Sequence, residues 1–202
     1  MARLLIYFAH PGQQYSRTNI ALANTAKAVD NITFIDLYAE YPRHDINVQR
    51  EQQRLLEHDV ILFQFPLYWY STPSLIKEWQ DLVLQHGFAY GHDGNKLANK
   101  TMMLAITAGG PEDAYTAEGY QHYPLRTFLT PLEQTARLCK MRFASPYVLF
   151  GALNADADHE IADHAHGYHK LLTAIRDNEY DFDTADELSL LNFSNIPLKS
   201  KV

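Results

Sequence analysis

Apolar residues in this chain gather in five short runs, at residues 3–9, 31–36, 59–65, 100–107 and 141–150, while the stretches between them are mixed. Runs of that length with little alternation predict strands covered on both faces. Between the first two, Ile20, Leu22, Ala23, Ala26 and Val29 recur at helical spacing and predict a crossover helix over 18–29. Strand, helix and strand in that order form a βαβ unit. The alternation continues with a polar helix over 48–57, a helix opening at Pro73 and reaching residue 86, a helix over 124–138 and a last one over 156–176. Proline at a first helical turn is a favourable start signal, since its missing N–H has no helical partner there in any case. Five strands alternating with five helices predict a doubly wound α/β fold around a five-stranded parallel sheet.

Length then bounds the organisation. With 202 residues and 47% apolar content the chain suits one α/β domain, expected over 1–180. Residues 181–202 mix Asp, Asn, Ser and Lys with isolated apolar residues and are expected to be a tail or an arm laid over a partner subunit. The first apolar run is far shorter than the roughly 20 residues that cross a bilayer. A single cysteine, Cys139, excludes an intrachain disulfide and fits a reducing, cytoplasmic setting.

Charge removes one class of partner. The net charge of −7 divides unevenly, with 14 acids against 13 Lys and Arg before Gly151 and 10 against 4 from there onward. A nucleic-acid binder needs a basic face to displace counterions, and none is in prospect. The helix over 156–176 carries His159, His164, His166 and His169, but Asp163 stands where a zincin pattern needs histidine, so no metal is expected.

Candidate chemistry follows from where the strands end. In open α/β sheets ligands bind beyond the carboxyl ends of the strands, so the segments after strands one, three and four belong together. After the first, His10 leads through a loop to Ser16, Arg17, Thr18 and Asn19 at a helix start, where unpaired N–H groups and the helix dipole receive phosphate. Neither a GxGxxG fingerprint nor a Gly-Lys-Ser/Thr ending is present. After the third, Pro66-Leu67-Tyr68-Trp69-Tyr70 sets three aromatic residues where turn chemistry favours Gly, Asn, Asp or Ser. Such rings need a surface to cover, either a planar cofactor or a protein partner. After the fourth, Thr107-Ala108-Gly109-Gly110 lets backbone approach a ligand closely.

Together these three segments, with Lys77-Glu78-Trp79-Gln80-Asp81 and His86-Gly87-Phe88-Ala89-Tyr90-Gly91, resemble the NAD(P)H:quinone oxidoreductase family. Within it the likeness points to the KefF/KefG-type ancillary proteins of glutathione-gated potassium efflux systems. The resemblance spans residues 3–176 and implies a flavodoxin-like sheet of order 2-1-3-4-5, a bound FMN rather than FAD, and NAD(P)H as co-substrate. It also implies a quinone as acceptor and a homodimer with the site built across its interface. Carried over residue by residue, His10 and residues 16–19 would hold the phosphate and ribityl end, residues 66–70 the ring edge, and residues 107–110 the pyrimidine side.

In mammalian-type members a Tyr five residues beyond the Gly-Gly pair and a nearby His stabilise charge on the reduced flavin. Tyr115 matches the first, and His122 lies one residue off the spacing of the second. Ala108 replaces a hydroxyl residue common in the family, and Pro111 stiffens the loop. A second reading is a regulatory subunit docked on the cytoplasmic face of a potassium antiporter, with or without catalysis. A one-electron flavodoxin carrier fits poorly, because the first 150 residues are nearly neutral.

Overall fold

A computed structural model describes residues 1–155 and 160–200, so part of the expected last helix and the final two residues lie outside the described chain. Six strands form one sheet: β1 (Leu4–Phe8), β2 (Thr33–Asp36), β3 (Val60–Pro66), β4 (Thr101–Thr107), β5 (Arg142–Phe143) and β6 (Tyr147–Leu149). They pair in parallel in the order β2-β1-β3-β4-β5, and β6 also pairs with β4. The expected fifth strand is therefore two short ones sharing the last position in the sheet. Between them, Ser145 donates its hydroxyl to the carbonyls of Ala185 and Leu188, 2.9 and 2.6 Å away, and Pro146 has no N–H to give a ladder.

Helices cover both faces: α1 (Arg17–Lys27), α2 (Leu37–Glu40), α3 (Val48–Glu57), α4 (Ser74–Val83), α5 (Leu125–Phe128), α6 (Thr130–Leu138), α7 (Glu160–Arg176) and α8 (Phe182–Asp186). Strand pleating sorts the core into two halves. Leu5, Tyr7, Ile61, Phe63, Met102 and Leu104 face one half with α3, α4 and α6. Leu4, Ile6, Val60, Leu62, Met103 and Ala105 face the other with α1 and α7. The helix expected over 124–138 is interrupted because Pro131 cannot donate to the Thr127 carbonyl, which accepts from the Thr130 hydroxyl at 2.8 Å instead.

The polar helix α3 buries one charge completely. Glu51 is fully enclosed and accepts from the hydroxyls of Tyr7 and Tyr41, both at 2.5 Å, from Trp79 Nε1 at 3.1 Å and from Arg54 at 2.5 Å. A buried carboxylate is tolerable only with that degree of pairing.

The segment after residue 180 is seated on its own chain rather than trailing loose. Tyr180, Ala185, Leu191 and Ile196 are buried in the α1/α7 half of the core, and the Leu191 carbonyl accepts from Val148 N–H at 2.8 Å. Gly167 of α7 permits this, since a Cβ there would lie 2.5 Å from Phe193 Cβ and 2.6 Å from Tyr147 Oη. None of the helices among the described residues is long and apolar enough to cross a membrane.

Candidate functional site

The carboxyl ends of β1, β3 and β4 meet at α1, and side chains knit that corner. Ser16 caps α1 by accepting from Asn19 N–H at 3.2 Å. Asn19 Nδ2 donates back to Ser16 Oγ at 3.1 Å and to Thr107 Oγ1 at 2.9 Å, so the first turn of α1 is tied to the end of β4. The Thr107 carbonyl in turn accepts from Leu67 N–H at 2.8 Å, which fixes the start of the aromatic loop. Asn19 Oδ1 is buried and has no hydrogen-bond partner. No acid sits in the first turn of α1, so the positive end of its dipole is left uncompensated by the helix itself.

Along this corner runs a cleft of about 510 Å³ lined by His10, Ser16, Arg17, Thr18, Asn19, Pro66, Leu67, Tyr68, Thr107 and Gly109, the residues that sequence reasoning had picked out. Gly12 N–H donates to His10 Nδ1 at 3.1 Å, which leaves Nε2 to carry the proton and face the Tyr68 hydroxyl at 3.4 Å. Burial holds the His10 pKa below its usual value, so the ring stays neutral.

A second cleft of about 510 Å³ adjoins the first through shared walls at Leu67, Gly109 and Leu153. Trp69, Tyr70, Gly110, Tyr115 and Tyr120 line it. Tyr115 is 8% exposed, and its ring packs near Phe128 and Phe150 at centroid distances of 6.3 and 5.4 Å. Burial raises its pKa first, with Tyr120 adding to the rise, so the hydroxyl keeps its proton. Gly110 leaves room for the two tyrosines: a Cβ there would stand 3.3 Å from Tyr115 Cε2 and 2.7 Å from the Tyr120 oxygen.

The aromatic loop is a two-residue hairpin. Tyr68 N–H and Ser71 N–H each donate to the other's carbonyl at 3.0 Å, and Trp69 and Tyr70 between them take φ of 48° and 63°. This is the type I′ geometry that Asn-Gly adopts cheaply and that aromatic residues adopt at a cost of roughly 1–2 kcal/mol each. Trp69 is 92% exposed, so packing on its own chain does not account for the strain. Strained backbone that packing does not explain is a mark of ligand sites.

Two expected site residues fall elsewhere. Ala108 is fully buried, its N–H donates to the Leu149 carbonyl at 2.8 Å and its carbonyl accepts from Ala152 N–H at 2.9 Å, so it backs the wall without lining it. His122 is exposed, has φ of 61° and lines neither cleft. Sequence reasoning missed Leu153, which borders both clefts, and Tyr120. Leu153 carried a usable signal, an apolar residue in a turn just beyond the last strand, at the same sheet edge as the other three loops. The histidine-bearing helix face, at which no metal is expected, begins with His159, which lies outside the described residues.

The family model described as flavodoxin-like fold matches residues 2–172. The chain is 44% identical over 171 residues to the glutathione-regulated potassium-efflux system ancillary protein KefG of Cronobacter sakazakii, covering 85% of this chain and 92% of that one. Among solved structures it is similar to general stress protein 14 of Treponema denticola in complex with FMN, with 33% identity and a TM-score of 0.79 over 86% of this chain and 99% of the other. An NADPH-quinone reductase from P. pentosaceus is 28% identical, with a TM-score of 0.71 over 83% and 96% of the two chains. The sheet order, the crossover helices and these matches together show that the chain belongs to the flavodoxin-like family, with KefG proteins among its relatives.

Proposed function

We propose that this protein is an FMN-dependent NAD(P)H:quinone oxidoreductase that works as a homodimer in the cytoplasm. The observation that carries the reading is the pair of joined clefts, one set at a helix start with polar side chains along it, the other walled by aromatic rings. The residues present fit FMN. The uncompensated start of α1, with Arg17 and the Ser16 cap, suits a phosphate, and the buried, unpartnered Asn19 Oδ1 suits a ribityl hydroxyl. Gly109 supports a close ring contact, because a Cβ there would touch only Leu153, at 3.5 Å, so the protein's own packing does not demand glycine.

Bound there, the flavin would accept a hydride from the nicotinamide and pass two electrons to a quinone. The chain's own part is placement. Leu67 and Gly109 hold the floor common to both clefts, Trp69 and Tyr70 hold an aromatic wall, and the protonated Tyr115 hydroxyl offers a hydrogen bond at the second cleft. The test is spectroscopic and kinetic. Purified protein should be yellow or take up FMN, and should oxidise NADH or NADPH with menadione as acceptor. Protein that stays colourless with added FMN overturns the reading.

The likeness to KefG supports a second reading, a regulatory subunit at the inner face of the membrane that promotes potassium efflux. Bound FMN with negligible menadione turnover, together with co-purification of a membrane antiporter, would favour it over the enzyme.

A further inference from the structure

A third cavity shares Gly109 with the two clefts, and its lining is unusual. Its volume is about 330 Å³, and its walls include Glu112, Phe150, Glu160, His164 and Phe193. His164 is 1% exposed, and neither ring nitrogen has a hydrogen-bond partner among the described residues. Its ring stacks on Tyr147 at 4.1 Å, and the Tyr147 hydroxyl is already committed to the His164 carbonyl at 2.7 Å, so the neighbouring phenol does not satisfy the imidazole. Leaving a buried donor and a buried acceptor unmet costs about 1–3 kcal/mol each. Burial pushes the His164 pKa down to about 3, so the ring presents one N–H and one bare nitrogen at neutral pH.

The wall opposite comes from the carboxyl-terminal segment. Phe193 is held against α7 by the close approach at Gly167, and the family match ends at residue 172, so this side of the cavity is built by residues beyond it. Two carboxylates, two phenylalanine rings and a neutral donor-acceptor imidazole line the same cavity and define a ligand by complementarity. The carboxylates take a cation, the rings take an apolar or aromatic body, and the imidazole takes a group that both donates and accepts, such as a hydroxyl.

We propose that this cavity is a second small-molecule site, beside the flavin-type clefts, for a short amphipathic amine that also carries a hydroxyl. Gly109 is the common wall, so occupancy would be felt at the neighbouring cleft.

Tyramine is the probe, with phenethylamine lacking the hydroxyl and 4-methylphenol lacking the ammonium as its controls. Binding to the full chain saturated with FMN is followed by calorimetry and by the imidazole nitrogen resonances of histidine-labelled protein. Tyramine should bind one to one and move the His164 resonances, at least about tenfold more tightly than either control, as expected when a charged or buried polar contact is lost. Glu160→Gln, at an exposed position that tolerates the change, should weaken tyramine several-fold, and His164→Phe should remove the preference over phenethylamine. Absence of saturable tyramine binding up to about 10 mM overturns the proposal, since millimolar affinity is the floor for a built site. Equal affinity for all three compounds, or affinity unchanged in Glu160→Gln, overturns it too. None of these readouts depends on quinone turnover, so their failure leaves the proposed oxidoreductase standing.

Discussion

The two joined clefts are made in opposite ways. Around the first, the backbone and caps that shape the wall are ordinary: a capped helix, the Asn19 bridge between Ser16 and Thr107, and the Leu67 amide on the Thr107 carbonyl, with Asn19 Oδ1 alone of these groups left unmet among the described residues. Around the second, backbone is held in a conformation its residues disfavour, and the rings it presents are largely exposed. Anchoring a phosphate needs fixed N–H groups, which secondary structure supplies without strain. Covering a planar ring needs a flat aromatic face at one set height above the sheet, and the Tyr68 to Ser71 hairpin reaches it by forcing Trp69 and Tyr70 into left-handed geometry. The first cleft should therefore govern whether a cofactor stays, and the aromatic cleft what it then does.

Asn19 gives the largest expected break in that division. Among the described residues it is the one side chain bonded to both the α1 cap and the β4 end, and its Oδ1 remains unmet there. Asn19→Ala should weaken FMN binding by about 10- to 100-fold, the loss of one or two buried hydrogen bonds. Fluorescence quenching of FMN on titration measures it; binding within about twofold of the parent would move the phosphate and ribityl end away from this corner.

Replacing Trp69-Tyr70 by Asn-Gly should separate stability from function. The pair fits a type I′ turn without strain, which relieves about 2–4 kcal/mol but forfeits the ring contact of Tyr70 on Phe128 at 4.9 Å, so the unliganded protein should gain about 1–3 kcal/mol, read as a raised midpoint in urea. FMN should still bind through the first cleft, while menadione turnover falls. A variant that is less stable than its parent would mean that the rings hold the fold together, and the contrast between the clefts would fail.

Much of this was legible beforehand. The runs at β1, β3 and β4 are buried along their whole length, and their unbroken apolar character announced it. The fifth run was harder, because Ser145 and Pro146 sit inside an otherwise apolar stretch and the reason for the break, the hydrogen bonds from Ser145 to the carbonyls of Ala185 and Leu188, lies some 40 residues away. The same distance hid the seating of the last segment, where Leu191 and Ile196 were isolated apolar residues with no periodicity to read. In the site, loops after three strands stood out by residue type. The left-handed backbone at Trp69 and Tyr70 did not, since nothing about an aromatic residue signals positive φ. The unmet His164 was hidden for another reason: its residue type looked like part of a polar helix face, and only its place against Tyr147 buries it.

Tyr115 gives a smaller and more local effect. Its hydroxyl is protonated and lines the aromatic cleft, while its ring is packed by Phe128 and Phe150. Tyr115→Phe keeps the packing and removes one hydrogen bond, so turnover with menadione should fall about tenfold with FMN content unchanged, the scale of one such contact made in the reacting state. Loss of FMN instead would assign Tyr115 to anchoring and blur the line between the clefts.

The smallest effect is expected at His122, where family likeness and geometry part. Its side chain is exposed, and its backbone φ of 61° belongs to a turn in which its N–H donates to the Gly119 carbonyl at 2.9 Å. Asparagine tolerates that left-handed conformation as well as histidine does, so His122→Asn removes the imidazole and leaves the turn. Turnover should change by less than about twofold, the range of a surface substitution without a partner. A fall of about tenfold or more in His122→Asn would show that the loop at residues 119–123 closes over the aromatic cleft during turnover. The second cleft would then be a surface assembled by ligand, in sharper contrast still with the preformed corner at Asn19.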